Sequence, residues 1–406
     1  MSEHSSDPDI SGLHQIDARR IIEDVGGTGQ PPIYGYQFFT AGIDQYIRVI
    51  EDEYLTDYIN AGGSSFKMVI GTYGGGKTHF LYSVQGRAWN HSYITSYIEL
   101  SQNETPFHKL EEVYKAIVLH LVYFRNQQQM TAHNSRGIEA LIRVWYAQEK
   151  KIRNHLPPDE QIQSLMDYSM SIGPYESTSF QNAIRHAFDS LIRGDEEAFS
   201  LILQWLKGEN PPKTLLKEYK IFEKIEKTTA FKMIRCLIQW ILEMGYAGLI
   251  VLMDEAEQTP SMSTKQRETL LNNLREIVDA CSKGAIKGTM IFYAAPNEQF
   301  LEGRTAVYEA LNQRLSTYFE GVSNPTGVKI NLENLDEKPL DLLQEIGYKL
   351  SRIYEIAYGY SFDQEMIRAD IAAIAEEAYN DRFGDIGYKR RFVQKIIKKF
   401  REISSS

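Results

Sequence analysis

The sequence predicts an α/β fold: a parallel sheet flanked by helices, with a large helical insertion and a C-terminal helical lid. Three observations predict it. Short apolar or β-branched runs at about 66–70, 93–100, 249–253, 289–294 and 328–332 alternate with stretches of helical periodicity, the pattern of a parallel sheet built from strand–helix units. Residues 125–228 contain no strand-like run; they are polar, helix-favouring and broken by Pro157-Pro158, Gly173-Pro174 and Pro211-Pro212. From Leu340 onward three amphipathic helices follow, at about 338–356, 363–379 and 388–402. The domains are therefore expected as a disordered tail over 1–13, a core over 14–335 containing the insertion, and a lid over 336–406.

Taken in order, His14 to Val25 reads as a short helix stopped by Gly26-Gly27, and Gly-Thr-Gly-Gln-Pro-Pro after it reads as a loop. Phe39, Ile43, Ile47 and Ile50 fall on one helical stripe within Phe38–Ile59, which Ala61-Gly62-Gly63 terminates. Phe107 to Tyr123 is again helical, as are Phe231 to Met244 and Arg267 to Cys281.

The bulk composition bounds what such a chain does. At 406 residues it has ample length for a large core. Two cysteines, Cys236 and Cys281, far apart and in no CxxC pattern, exclude a disulfide framework or zinc module and suit a reducing cytosol. No apolar run has the length to cross a bilayer, and the polar, acidic N-terminus does not read as a signal peptide, so a cytoplasmic protein with no membrane partner is expected. A net charge of −10 argues against coating nucleic acid over the whole surface, though not against a local basic strip.

Two motifs carry chemistry. Gly71-Thr-Tyr-Gly74-Gly75-Gly76-Lys77-Thr78 fits G-x-x-x-x-G-K-[ST], with an apolar run before it and a helix after it. Glycines let backbone N–H groups wrap a phosphate, the helix N-terminus adds partial positive charge, Lys77 reaches the β and γ phosphates, and Thr78 offers a hydroxyl to Mg2+. Leu249 to Met253 then ends in Asp254-Glu255. Two acids at the end of an apolar strand are costly unless a cation or solvent receives them. Asp254 is expected on the metal and Glu255 as the base for the attacking water, so the pair of motifs predicts nucleoside triphosphate binding and hydrolysis. A strand merely running into an acidic surface loop is the alternative for Asp254-Glu255 alone.

With these motifs the chain resembles the AAA+ ATPases of the initiator and origin-recognition type, and more narrowly the ATP-binding proteins of the BREX phage-defence systems, the BrxD group. The resemblance runs over about 18–401. Beyond the two motifs it rests on Phe38-Phe-Thr-Ala-Gly-Ile-Asp44, Glu99-Leu-Ser-Gln-Asn-Glu-Thr-Pro-Phe-His-Lys-Leu110, Asp254-Glu-Ala-Glu257 with Asn273-Leu-Arg-Glu-Ile-Val-Asp279, and Phe292-Tyr-Ala-Ala-Pro296 with Leu311-Asn-Gln-Arg-Leu315. It implies ATP as the nucleotide and three further roles. Asn297, after the fourth strand, is the nearest candidate for a polar sensor of the γ-phosphate or attacking water, or else a helix cap. Arg314 is the candidate arginine finger acting on a neighbouring subunit, or else a surface ion-pairing residue. Arg390, with Arg391 as the alternate, is the candidate lid arginine at the nucleotide.

Three smaller readings complete the set. His79 after the loop is either a nucleotide-side residue or a helix residue packing nearby. An aromatic around Ile33-Tyr34 is expected against adenine. Lys389, Arg390, Arg391, Lys395, Lys398, Lys399 and Arg401 form a strip without an acid among them, either a contact for DNA phosphates or a solvated face. A winged-helix module follows the lid in many initiator-type ATPases and none follows it in this sequence, which weighs against autonomous sequence-specific DNA binding. The leading expectation is a helicase-loader-like ATPase, a homo-oligomer acting on duplex DNA or with a helicase or other phage-defence protein. The rival is a slow nucleotide switch presenting its insertion to a protein partner. A metabolite kinase fits Asp254-Glu255 less well.

Overall fold

The computed structural model describes residues 10, 12–123, 136–256, 262–297, 306–315, 328–335, 338–381 and 387–405. The chain begins with α1 (Gln15–Thr28) and α2 (Asp44–Val49), then β1 (Ser64–Ile70), α3 (Lys77–Asn90), β2 (Ile94–Glu99), α4 (Leu110–Leu119) and β3 (Leu121–Val122). The insertion supplies α5 (Gly137–Ile152), α6 (Pro158–Ser171), α7 (Thr178–Arg193), α8 (Glu196–Leu206) and α9 (Lys213–Leu216). Next come α10 (Ala230–Glu243), β4 (Leu249–Asp254), α11 (Thr264–Ser282), β5 (Thr289–Ala295), α12 (Ala306–Leu315) and β6 (Lys329–Asn331). The C-terminal helices are α13 (Pro339–Tyr358), α14 (Gln364–Asn380) and α15 (Tyr388–Ser404).

The six strands lie in the order β3-β2-β4-β5-β1-β6. All pair in parallel except β3, which joins the edge antiparallel to β2. Both faces of the sheet are covered, which is why β4 and β5 read as unbroken apolar runs rather than alternating ones. Val251 and Met253 face one cluster with α4, α10 and α11; Ile250 and Leu252 face the other with α3 and the helical stretch at 43–59. The insertion is continuous with the first cluster: Trp145 of α5 packs at 5.7 Å from Trp240 of α10. Its helix starts are set locally, with Ser177 accepting from the Phe180 N–H and Asp195 from the Ala198 N–H.

Three local expectations are corrected. The helix expected over 107–123 ends at Leu119, and Leu121 pairs opposite Ser96 in β3; two residues are too few for an alternating pattern to announce a strand. The helix expected over 38–59 is α2 followed by a nine-residue π-helical run, Ile50–Tyr58. An apolar stripe does not distinguish i→i−4 from i→i−5 bonding. Finally, α1 runs through Gly26-Gly27 and ends at Gly29, whose φ of 66° places it in the left-handed region, with its N–H on Val25 O at 2.9 Å. Gly26 has a packing role instead: a Cβ there would lie 2.9 Å from Ile397 Cγ2.

That contact belongs to a third cluster in which Ala18, Ile21 and Ile22 of α1 pack with Leu350, Ile371, Phe392 and Ile396 of α13–α15. The first helix of the chain thus shares its core with the last three. The expected tail lies largely outside the described residues, though Leu13 is buried against this cluster.

Candidate functional site

β1 delivers the chain into the glycine loop and α3 starts at Lys77. Gly74 and Gly76 have φ of 73° and 102°, so both need a residue without a Cβ penalty. At Gly74 a Cβ would also come within 3.0 Å of Gly387 Cα, where the C-terminal helices meet the loop. The loop is held on itself: the Gly75 N–H donates to Thr72 O at 2.9 Å. Lys77 is buried, and its Nζ donates to Gly71 O at 2.8 Å and Thr72 O at 3.1 Å.

The end of β4 lies beside this loop, although β5 separates β4 from β1 in the sheet. Asp254 is 1% exposed. Its Oδ2 accepts from Thr78 Oγ1 at 2.6 Å and Tyr97 Oη at 2.8 Å, and its Oδ1 accepts from the Glu255 N–H at 2.8 Å. Burial, then the Asp254 charge, pushes the Tyr97 phenol well above the usual range, so it stays a donor. Glu255 has φ of 57°, an uncommon left-handed backbone for a glutamate, and is exposed. Such local strain recurs at functional sites.

No cluster of three or more His, Cys, Asp or Glu with metal-binding geometry occurs among the described residues. Magnesium in nucleotide sites needs no such cage; it takes one or two protein oxygens and completes its shell with phosphate and water. Thr78 and Asp254, two hard oxygen donors in contact, fit that requirement.

A cavity of about 1110 Å3, counted out to open solvent, includes Gly74 to His79, Asp254 and Glu255 in its lining. Its apolar wall comes from Val25, Pro31, Phe39, Leu342, Ile346 and Val393, so α1 and the C-terminal helices close it. Ile33 and Tyr34 do not line it, and Ile33 is 63% exposed; the apolar wall comes from their sequence neighbours instead.

The remaining sequence candidates separate. Arg390 lines the cavity, donates to Thr28 O at 2.6 Å and, through Nη1, to Tyr73 Oη at 2.7 Å. Arg391, one residue on, lies 3.8 Å from Asp381 instead. His79 borders the cavity but its Nε2 pairs with Thr40 Oγ1 at 2.7 Å and its ring packs on Phe39; burial pushes it down to about 4, so the imidazole is neutral. Asn297 is exposed and not in the cavity wall, because β5 ends at Ala295 and Pro296 carries the chain beyond it. Arg314 is also away from this cavity. It is ion-paired with Asp279, Nη2 to Oδ2 at 3.1 Å, and donates to Ala310 O at 2.7 Å.

The basic strip on α15 is matched by acids from elsewhere in the chain. Lys395 meets Glu377, Lys399 meets Asp370, and Arg401 meets Glu23 at 2.8, 3.4 and 3.0 Å. Lys398 faces Glu402 at 4.0 Å. As an open DNA-binding face the strip is therefore largely neutralised, by α1 and α14 residues that sequence adjacency does not reveal.

Two functional candidates escaped the sequence. Lys389 lines the cavity, and its Nζ donates to Gly75 O at 3.1 Å and Leu332 O at 3.4 Å. Glu333 accepts from both the N–H and the hydroxyl of Thr72 at 2.9 Å. Lys389 was visible as a cation of the strip; Glu333 carried no signal.

The family described as BREX system ATP-binding protein BrxC/D matches residues 14–405. The chain belongs to this family. No curated protein and no solved structure matches it. Membership makes the chain a BREX ATP-binding protein and ties it to phage defence and to other BREX proteins. Among the described residues no helix is long and apolar enough to cross a membrane.

Proposed function

We propose that this BREX protein is an AAA+ type ATPase that hydrolyses Mg-ATP and works, as an oligomer, with a DNA-processing partner in the manner of a helicase loader. One observation carries the reading: the Asp254–Thr78 contact sets the acidic strand end against the phosphate loop, with Glu255 at the cavity wall beside it. ATP would lay its base against the apolar wall and its phosphates on the loop. Lys77 would leave Gly71 O and Thr72 O for the γ-phosphate. Magnesium, held by Thr78 with Asp254 behind it, would neutralise phosphate charge. Glu255 would take the proton of a water whose oxygen attacks the γ-phosphorus, while the bond to the β–γ bridging oxygen breaks and ADP and phosphate leave.

Arg314 would supply charge to the neighbouring copy's γ-phosphate. In the single chain its guanidinium is occupied by Asp279, so assembly would have to redirect it, and basal turnover of the monomer would be slow. That occupancy favours the second reading, a slow nucleotide switch. ATP turnover of wild type, Glu255→Gln and Arg314→Ala, with and without duplex DNA at low and physiological salt, separates them. The loader reading expects DNA-stimulated turnover that both variants abolish while ATP still binds. Negligible turnover indifferent to DNA and to Arg314→Ala refutes it in favour of the switch.

A further inference from the structure

We propose that Glu333 is a positioning residue of the ATP site: from the turn after β6 its carboxylate straps the phosphate loop at Thr72, beside the point where Lys389 of the last helix holds Gly75. The inference rests on the family's ATP binding and on this chain's geometry. The Thr72 peptide is held from both sides. Its carbonyl accepts from Lys77 at 3.1 Å and from the Gly75 N–H at 2.9 Å; its N–H and hydroxyl donate to Glu333 Oε1, each at 2.9 Å. The carboxylate lies flush on the loop, since a Cβ on Gly75 would sit 2.6 Å from Oε1. Glu333 is itself placed by the turn, where Asn331 Oδ1 accepts its N–H at 2.9 Å.

When Lys77 moves to phosphate, Thr72 loses one of these anchors. Glu333 is the side chain that then keeps the loop in its wrapped shape, and it ties that shape to the sheet edge at β6. The last helix meets the same loop: Lys389 Nζ donates to Gly75 O at 3.1 Å and to Leu332 O at 3.4 Å, so the turn after β6 and α15 fasten the loop at neighbouring residues.

The test is ATP affinity by calorimetric titration of the full chain, for wild type, Glu333→Ala and Glu333→Gln, with thermal melts of each. Glu333→Ala, which removes acceptor and charge, is expected to weaken ATP about tenfold, the scale of one or two hydrogen bonds in the loop. Glu333→Gln keeps an acceptor for Thr72 and is expected to restore most of the lost affinity. A purely structural role would move the melt and leave the ATP affinity of the folded protein unchanged. Glu333→Ala within twofold of wild type, or Glu333→Gln as weak as Glu333→Ala, overturns the proposal. Failure of the wild type to bind overturns the nucleotide site itself, and this strap with it.

Discussion

Lys67 stands in the middle of β1, the strand that leads into the glycine loop, and is 1% exposed. Its Nζ donates to Tyr54 Oη at 2.9 Å and lies 4.2 Å from the centre of that ring, on the π-helical run. Burial pushes its ammonium down to about 7 from 10.5, with Glu53 opposing. Lowering it from 10.5 to about 7 corresponds to about 5 kcal/mol between the two protonation states. The folded-state value is depressed, so between pH 7 and 10.5 the unfolded chain holds a proton the folded one lacks. Stability from this group is therefore full above 10.5 and is lost as pH falls towards 7.

Lys67→Met keeps the length of the side chain and removes the titration. The variant is expected to be more stable than wild type at pH 7, and its advantage is expected to shrink by about 2 kcal/mol by pH 9, the proton linkage integrated over that window. Urea unfolding of both chains at pH 7, 8 and 9 measures it. Curves that stay parallel across pH, or a variant less stable than wild type at pH 7, would refute the reasoning that a largely desolvated lysine burdens β1.

Three further outcomes follow, one from proton linkage and two from hydrogen bonding at Asp254. His79, pushed down to about 4 from 6.5 by burial with Lys349 adding, stabilises the fold above pH 6.5 and loses that contribution as pH falls towards 4, about 3 kcal/mol in all; His79→Asn should flatten this part of the acid-unfolding profile, and an unchanged profile would deny the shift. Tyr97→Phe removes a 2.8 Å hydrogen bond to the buried Asp254 carboxylate and should cost about 1.5–3 kcal/mol in denaturant unfolding. Because Thr78 donates to the same oxygen, Tyr97→Phe and Thr78→Val should combine non-additively, and strict additivity would show that the two donors are not coupled.

The parallel α/β core, the glycine loop, the acidic strand end and the three C-terminal helices were legible in the chain, because each is local: a buried strand is a short apolar run, and a glycine loop is a contiguous motif. The family assignment followed the same local segments. What the sequence left open depended on groups brought together from far apart. Lys389, Arg390 and Arg391 are consecutive on α15, yet the fold sends the first to Gly75, the second to Tyr73 and the third towards Asp381. Helix phase and the docking of α1 against α15 decide that, and a run of cations does not encode it. Glu333 meets Thr72 across 261 positions, and the acids that neutralise the α15 strip come from α1 and α14. Local periodicity determined which segments would be strands and helices; only tertiary packing decided which charges face the cavity at the glycine loop, because an ion pair or hydrogen bond depends on distance in space rather than on separation along the chain.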